Sequence, residues 1–536
     1  MNVLNSSVAR PRSRPWVCGI LAVGVVVAVG CSGTDSNRPD DRVQQEVGAI
    51  ELLVVDDPTL AATIRREWRA RGTGELVVRE TDAEDLLKSE SLGADALIYP
   101  SALVGELAER GFIVPVPADV LGSETLAWRD VFRLIRVQES TWGEKTYGLP
   151  LGSPQLVLYY RGDVFDRLGI SPPQTWQQYQ QVLEKLSAHK ADPIGTPDPE
   201  GSAAPEADPI DASPDALARN ADLRTPGFRF AAVEPLGPGW AGQVLLARAA
   251  AYARHRNQYS TLFDYTTMRP LVDGPPFVRA LEELVAAAEH GPPQPWTITP
   301  EMSRQRFWNS EVAMALSWPT RSGSDEKAHD ATGHGGGAPD VSNARGTRAP
   351  GPAPNVKIAA LPGSVEVYQF LNESWELRND NEPQYVPLLA IAGRTGSVAR
   401  QTPRPRRAFA LLAWLGGREW SGLISPASSA TTLFRTTHVP VSRRWLPAQM
   451  DETTGRDYAD LVETTQSSPT WFITLRLPGR AEYMAALDGA VHQALRKEIP
   501  PEQALHEVAV TWNSITDRFG RQRQRDAYQR SIGVGP

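Results

Sequence analysis

The chain has 536 residues, enough for two or more domains that each bury a core. Its formal net charge of −8 and the lack of a basic stripe argue against a nucleic-acid partner. Only two cysteines occur, Cys18 and Cys31, and both lie close to the N-terminus. Everything after residue 31 therefore has no internal disulfide and depends on its hydrophobic core for stability.

Residues 1–30 have the pattern of a secretory signal peptide. Three arginines precede an apolar run over residues 19–29, which is shorter than the roughly 20 residues that span a bilayer. The run ends in Ala28-Val29-Gly30-Cys31, which resembles a bacterial lipobox with Ala28 where leucine is usual. We therefore expect cleavage before Cys31, lipidation of Cys31 and a periplasmic or extracytoplasmic protein anchored to the membrane. The alternative is an ordinary cleaved signal.

The N-terminal part of the body alternates strand and helix patterns after a polar tether over residues 31–48. Continuous apolar runs predict buried strands at Ile50–Val55 and Ala94–Tyr99, with Leu76–Arg79 between them and helices in the connections. This order indicates an α/β fold with a parallel sheet. Because ligands bind at the carboxyl ends of such strands, the ligand-facing edge is expected to carry Asp56, Asp57, Tyr99 and Ser101. For Asp56 and Asp57, a solvated turn is the alternative.

The stretch from Thr146 to Leu186 contains the most specific pattern. A turn-rich entry leads to a strand at Gln155–Tyr160, and a short helix then ends at Gly169, a glycine at the C′ position. Thr175 is predicted to cap the next helix, which carries an apolar stripe.

This stretch resembles the extracellular solute-binding proteins of ABC importers, in the carbohydrate-binding branch that includes the maltose-binding protein. The similarity rests on Tyr147-Gly148-Leu149-Pro150, on the strand and helix that follow, and on the Pro173–Trp176 segment. Two later segments match the family as well, Phe307–Pro319 and Pro501–Leu505. The resemblance covers most of the chain, in separate pieces.

The resemblance implies a two-lobed periplasmic-binding-protein fold of type II, with a hinge and a ligand cleft between the lobes. In chain order, the expected parts are the first lobe over 49–140, the second lobe over 141–385 with disordered insertions at 191–226 and 322–355, the return to the first lobe over 386–445, and the end of the second lobe over 446–536. Both insertions are poor in large apolar residues and rich in Pro, Asp, Gly or Ala.

The resemblance also implies which residues bind the ligand. Sugar-stacking positions of the family are matched by four aromatic residues, Trp240, Trp318, Tyr99 and Tyr483. Polar contacts are matched by Ser153 and Gln155. For each residue the alternative is a structural role in the core. A charged ligand is the alternative to a neutral sugar, because Arg229, Arg394 or Arg476 can face the cleft.

The function that follows is capture of a small solute, a saccharide first, and its delivery to an ABC permease. The alternative is a ligand sensor or surface scaffold on the same fold. We expect no enzymatic activity, because the sequence has no G-x-S-x-G, Walker A or H-E-x-x-H motif. No cofactor and no metal site are predicted, and the protein is expected to be a monomer.

Overall fold

The computed structural model describes residues 48–189, 227–321 and 355–535. The predicted signal peptide and the lipidation site Cys31 lie outside these ranges. The predicted tether and the two predicted insertions also lie outside them, apart from their boundary residues Gly48 and Asn355.

Within the described ranges the strands are short and largely buried. In chain order they are β1 (Ile50–Val55), β2 (Leu76–Thr81), β3 (Ala96–Pro100), β4 (Thr141–Trp142), β5 (Lys145–Thr146), β6 (Leu149–Gly152), β7 (Val157–Arg161), β8 (Phe230–Val233), β9 (Val312–Ser317), β10 (Val356–Ala360), β11 (Glu366–Gln369), β12 (Ser374–Leu377), β13 (Leu388–Leu389), β14 (Arg394–Val398) and β15 (Phe472–Ile473).

The α-helices of the same ranges connect these strands and cover the sheets. They are α1 (Pro58–Arg71), α2 (Ala83–Lys88), α3 (Val104–Glu109), α4 (Ala118–Leu121), α5 (Gly162–Leu168), α6 (Trp176–Ser187), α7 (Ala241–Ala253), α8 (Pro275–Ala288), α9 (Pro300–Trp308), α10 (Pro405–Leu415), α11 (Arg418–Ile424), α12 (Glu452–Gln466), α13 (Arg480–Leu495), α14 (Pro501–Phe519) and α15 (Arg521–Ile532).

The first lobe is built on a five-stranded sheet in the order β2-β1-β3-β14-β6. Strands β1, β2 and β3 are parallel, as their alternation with helices predicts, whereas β14 runs antiparallel to both β3 and β6. Residues Leu52 and Val54 pack on one side of the sheet with Phe409 and Leu412 of α10. Leu53 and Val55 pack on the other side. The apolar run of β1 is therefore explained by a strand covered on both faces.

The second lobe is built on a four-stranded sheet in the order β10-β7-β9-β8. Strand β7 is antiparallel to β9 and β10, and β8 is parallel to β9. Helix α7 runs through the centre of this lobe, and all 13 of its residues are buried. Its small alanine side chains let neighbouring helices approach closely, and α8 and α13 pack directly against it.

Two of the segments that pass between the lobes lie close together. The first crossing is 153–156, because β6 still belongs to the first sheet and β7 belongs to the second. The lobe boundary expected at residue 141 therefore precedes the actual crossing. The second crossing is 390–393. A Cβ atom on Gly393, whose φ is +112°, would lie 2.9 Å from the carbonyl oxygen of Gly152, so the two crossings are in tight contact.

A buried ion pair lies in the core of the second lobe. The Arg248 guanidinium on α7 is 2.6 Å from a carboxylate oxygen of Glu234, and both side chains are almost fully buried. The guanidinium also lies over the Trp176 ring at 3.9 Å, and the Tyr179 hydroxyl donates to Glu234. This network connects α6, α7 and the end of β8.

We expect Glu234→Gln to lower the free energy of unfolding by about 3 kcal/mol, because it leaves the Arg248 charge buried without a counterion. Urea unfolding followed by circular dichroism measures the change. Glu84→Gln is the matched control, since the Glu84–Lys88 pair is exposed and its loss should leave the unfolding midpoint unchanged. Equal midpoints for Glu234→Gln and the unaltered protein would contradict the prediction.

Candidate ligand cleft

A cleft of about 830 Å³ lies between the two lobes, next to the second crossing. Its lining combines strand ends and helix starts from both sides. The first-lobe side and the segment after α11 contribute Asp56, Thr59, Ala83, Pro100, Ser101, Ala102, Leu103, Arg394, Ser429 and Ala430; the second lobe contributes Trp240, Thr299, Pro300, Glu301, Arg304, Trp318 and Arg480; the crossing contributes Ala390, Ile391 and Ala392.

The two tryptophans predicted as ligand contacts, Trp240 and Trp318, meet in this cleft. Trp240 is the residue that precedes α7, and Trp318 follows β9 directly. Their ring centroids are 5.3 Å apart, with the planes tilted by 44°. Trp318 is 3% exposed, and its Nε1 donates to the Ser429 carbonyl oxygen at 2.8 Å. Trp240 is only partly buried, so its ring offers the more accessible face.

Asp57 lies at the predicted edge of the first sheet, but its oxygens are already occupied. It caps α1 by accepting from the Leu60 amide at 3.0 Å. Its other oxygen is 2.9 Å from Nε of Arg394 and also accepts from the Ser428 hydroxyl. Asp57 is not among the lining residues, whereas Arg394 and the exposed Asp56 are. Asp57 therefore positions Arg394 at the cleft.

The two tyrosines predicted to stack on the ligand, Tyr99 and Tyr483, are completely buried, which corrects that expectation. Tyr99 lies in the core and its hydroxyl is 2.8 Å from the Ser397 hydroxyl on the neighbouring strand β14. Tyr483 packs edge-on against Trp512 of α14, and its hydroxyl is 2.9 Å from that of Thr516. Both rings stabilise the lobes and neither lines the cleft.

Ser153 and Gln155, the predicted polar contacts, are buried in the first crossing and do not line the cleft either. Ser153 lies beside Glu139, a carboxyl group that is 3% exposed. Burial raises the pKa of Glu139 to about 7, and the Ser153 hydroxyl, the Ala390 amide and the Arg476 charge offset only part of this effect. Ser153 and Glu139 therefore belong to a polar cluster beside the two crossings.

The raised pKa of Glu139 makes stability depend on pH. The folded protein favours the protonated carboxyl, so the free energy of unfolding is highest below the unfolded-state pKa near 4.5 and falls as pH rises towards about 7. We therefore compare the free energy of unfolding of Glu139→Gln with that of the unaltered protein. The difference between them should shift by about 3 kcal/mol in favour of Glu139→Gln as pH rises from 4.5 to 8. Urea unfolding at several pH values measures the difference. Parallel pH curves for the two proteins would contradict the prediction.

The cleft also contains charged residues that the motifs do not indicate, namely Glu301, Arg304 and Arg480. Glu301 and Arg304 lie on α9, and Arg480 is the first residue of α13. No local sequence signal distinguishes them from surface charges. Of the three arginines considered for a charged ligand, Arg394 lines the cleft, whereas Arg476 is buried at the hinge and donates to backbone carbonyls. Arg229 is not among the lining residues.

Across the residues that the structure describes, no helix combines the length and apolar composition needed to cross a bilayer. Within the same ranges, no group of three or more His, Cys, Asp or Glu side chains is placed to hold a metal ion.

Two α/β lobes, closely packed crossings and a cleft with paired tryptophans define the class of two-lobed solute-binding proteins. The family itself follows from the sequence. Residues 86–421 match the family model described as bacterial extracellular solute-binding protein, which is more than half of the chain. The chain therefore belongs to this family, as the resemblance implied. Because this is a family of binding proteins, membership also confirms that the chain is not an enzyme.

Solved structures of similar fold agree with this assignment. A solute-binding protein from Agrobacterium vitis S4 with bound D-mannitol is 12% identical, with a TM-score of 0.56 over 88% of this chain and 99% of that one. One from Agrobacterium radiobacter K84 in complex with ribitol is 16% identical, with a TM-score of 0.57 over 87% and 98%. Maltose-bound MalE3 from T. maritima is 14% identical, with a TM-score of 0.55 over 87% and 100%. At these identities the similarity shows the fold, and it confirms the predicted two-lobed architecture.

Proposed function

We propose that the protein captures a saccharide or polyol in the cleft between its lobes and delivers it to an ABC permease. The observation that supports this most directly is the Trp240–Trp318 pair, placed in the cleft opposite polar groups of the other lobe. The fold neighbours whose structures contain mannitol, ribitol and maltose bind ligands of this chemistry.

The cleft has the groups that such a ligand requires. A sugar or polyol presents C–H faces that pack on aromatic rings, and the Trp240 ring is accessible for this contact. Its hydroxyl groups need donors and acceptors, which Asp56, Ser101 and Arg394 offer from the first lobe. A volume of about 830 Å³ is within the range of small-molecule sites, roughly 300–1,000 Å³.

The Trp318 indole also connects ligand binding to lobe closure. It belongs to the second lobe through β9, and it donates to the carbonyl oxygen of Ser429, close to the Asp57–Arg394 pair of the first lobe. A ligand held against Trp240 therefore lies beside a contact that joins the second lobe to the segment after α11. Closure around a solute is the movement by which two-lobed binding proteins bury their ligands.

A screen of mannitol, ribitol, maltose and further sugars by thermal shift tests the proposed function. Ligand that binds only the folded state raises the melting temperature, by an amount that grows with concentration above the dissociation constant. No shift with any sugar or polyol would contradict saccharide capture.

We expect Trp240→Ala to weaken binding of the sugar found in this screen by about 1–3 kcal/mol, because it removes the accessible stacking face. Trp318→Ala should weaken it as well, since it also removes the contact to Ser429. Isothermal titration calorimetry measures both affinities. Trp375→Ala is the matched control, because Trp375 is a partly exposed tryptophan of the β11–β12 hairpin and is not among the cleft-lining residues. Unchanged affinity in both cleft variants would show that other aromatics bind the ligand.

We also propose that Cys31 is lipidated and anchors the protein outside the cytoplasm. The support is the lipobox-like Ala28–Cys31 segment after a basic and apolar leader. Growth with labelled palmitate should label the protein, and Cys31→Ser should abolish the label. Cys18→Ser is the control, because Cys18 lies within the leader and its variant should be labelled as before. Label retained in Cys31→Ser would contradict the anchor.

A further inference from the structure

The three arginines that line the cleft differ in the partners of their guanidinium groups. Arg394 is neutralised by Asp57 at 2.9 Å. Arg304 donates to the Ser317 hydroxyl at 3.1 Å and lies over the Trp318 ring. The Arg480 side chain, in contrast, forms no hydrogen bond or ion pair with any of the residues that the structure describes, and its Nε is buried.

Buried arginines elsewhere in the protein show what Arg480 lacks. Arg435 donates to the carbonyl oxygens of Ala127 and Gly416. Arg476 donates to several backbone carbonyls around the hinge. A desolvated guanidinium is normally satisfied in this way, because leaving its donors unpaired costs free energy. Arg480 is therefore an exception, and it lies in the cleft.

Asp488 on the same helix influences Arg480 without pairing with it. One Asp488 oxygen accepts from the Gly239 amide and the other from the Gly242 amide, each at 2.6 Å. These bonds hold the start of α7, next to Trp240, against α13. Burial lowers the pKa of Arg480 to about 10 despite the nearby Asp488 charge, so the guanidinium is still positively charged at neutral pH.

The backbone places Arg480 firmly at the cleft. Gly479, directly before it, has a φ of +79° and donates its amide to Glu106 of α3 at 2.8 Å. A Cβ atom at Gly479 would lie 2.5 Å from the Phe519 ring, so the start of α13 has little freedom. Arg480 also lies at the N-terminal end of a 16-residue helix, where the partial positive charge of the backbone adds to that of the side chain.

We propose that the solute carries one acidic group, a carboxylate or a phosphate on a sugar or polyol, and that Arg480 binds this group. The inference rests on the proposed function and specifies the ligand class. Guanidinium and carboxylate or phosphate form charge-assisted, often bidentate hydrogen bonds that an uncharged hydroxyl does not match. Asp56 and Glu301 are exposed carboxylates of the same lining, so further negative charge on the solute is disfavoured.

The test compares matched ligands by isothermal titration calorimetry at pH 7 and low ionic strength. The pairs are glucuronate with glucose, galacturonate with galactose, and glucose 6-phosphate with glucose. We expect at least one acidic member to bind about tenfold or more tighter than its neutral parent. The carboxylate and phosphate pairs then distinguish the two acidic groups.

Arg480→Gln should remove this preference while the affinity for the neutral parent stays within about threefold, and Arg480→Lys should restore part of it. Arg496→Gln is the matched control, because Arg496 is an exposed arginine at the other end of the same helix. Its affinities should equal those of the unaltered protein.

The outcomes separate this inference from the proposed function. Neutral sugars that bind as tightly as their acids would overturn the acidic-ligand inference and leave saccharide capture intact. An equal loss of affinity for acidic and neutral ligands in Arg480→Gln would overturn the role of Arg480. Failure of every sugar, polyol and acid to bind would overturn both. The affinities of the unaltered protein for acidic and neutral ligands decide the ligand class, even where a variant does not fold.

Discussion

The pairing of β14 with β3 and β6 is the constraint on which the rest of the molecule depends. Strand β14 returns to the first sheet almost 300 residues after β3, and it places Arg394 next to both Pro100 and Gly152. The first and second crossings therefore lie side by side. Gly152 and Gly393 make this possible, because a side chain at either position would collide with the neighbouring backbone.

The same pairing creates the site. Where β3 ends, the Ser101 hydroxyl donates to the Ala392 carbonyl of the second crossing at 2.9 Å. The Arg394 side chain donates to Asp57 at the start of α1. The end of β1, the end of β3 and the second crossing therefore all reach the cleft. In an open α/β sheet the carboxyl ends of the strands form the binding edge, and here that edge faces the other lobe.

The second lobe contributes helix starts to the same cleft. Helices α9 and α13 begin at Pro300 and Arg480, and Trp240 directly precedes α7; all three are lining residues. Asp488 connects two of these starts, because it accepts from the amides that precede and begin α7 while it lies on α13. The aromatic and charged sides of the cleft are thus held in a fixed arrangement, which favours a binding site that is organised before its ligand arrives.

Local patterns in the sequence were sufficient for several helices and strands and for the family. The strand Ile50–Val55 has the predicted bounds, Thr175 caps α6 with Gln178 in a capping box, and Gly169 ends α5 with a φ of +60°. These features depend on a few neighbouring residues, so they can be predicted without the fold. The positions of Trp240 and Trp318 in the cleft also agree with the segments that resemble the family.

The tertiary structure alone decided which polar and aromatic groups face the ligand. Tyr99 and Tyr483 occupy positions similar to those of stacking residues, yet neighbouring elements cover both rings. Arg480 resembles any charged residue at a helix start until the packing leaves its guanidinium without a partner among the described residues. Whether a side chain is buried, paired or accessible depends on segments hundreds of residues away in the chain. For that reason the sequence determined the fold and the binding class, and only the packing determined the chemistry of the cleft.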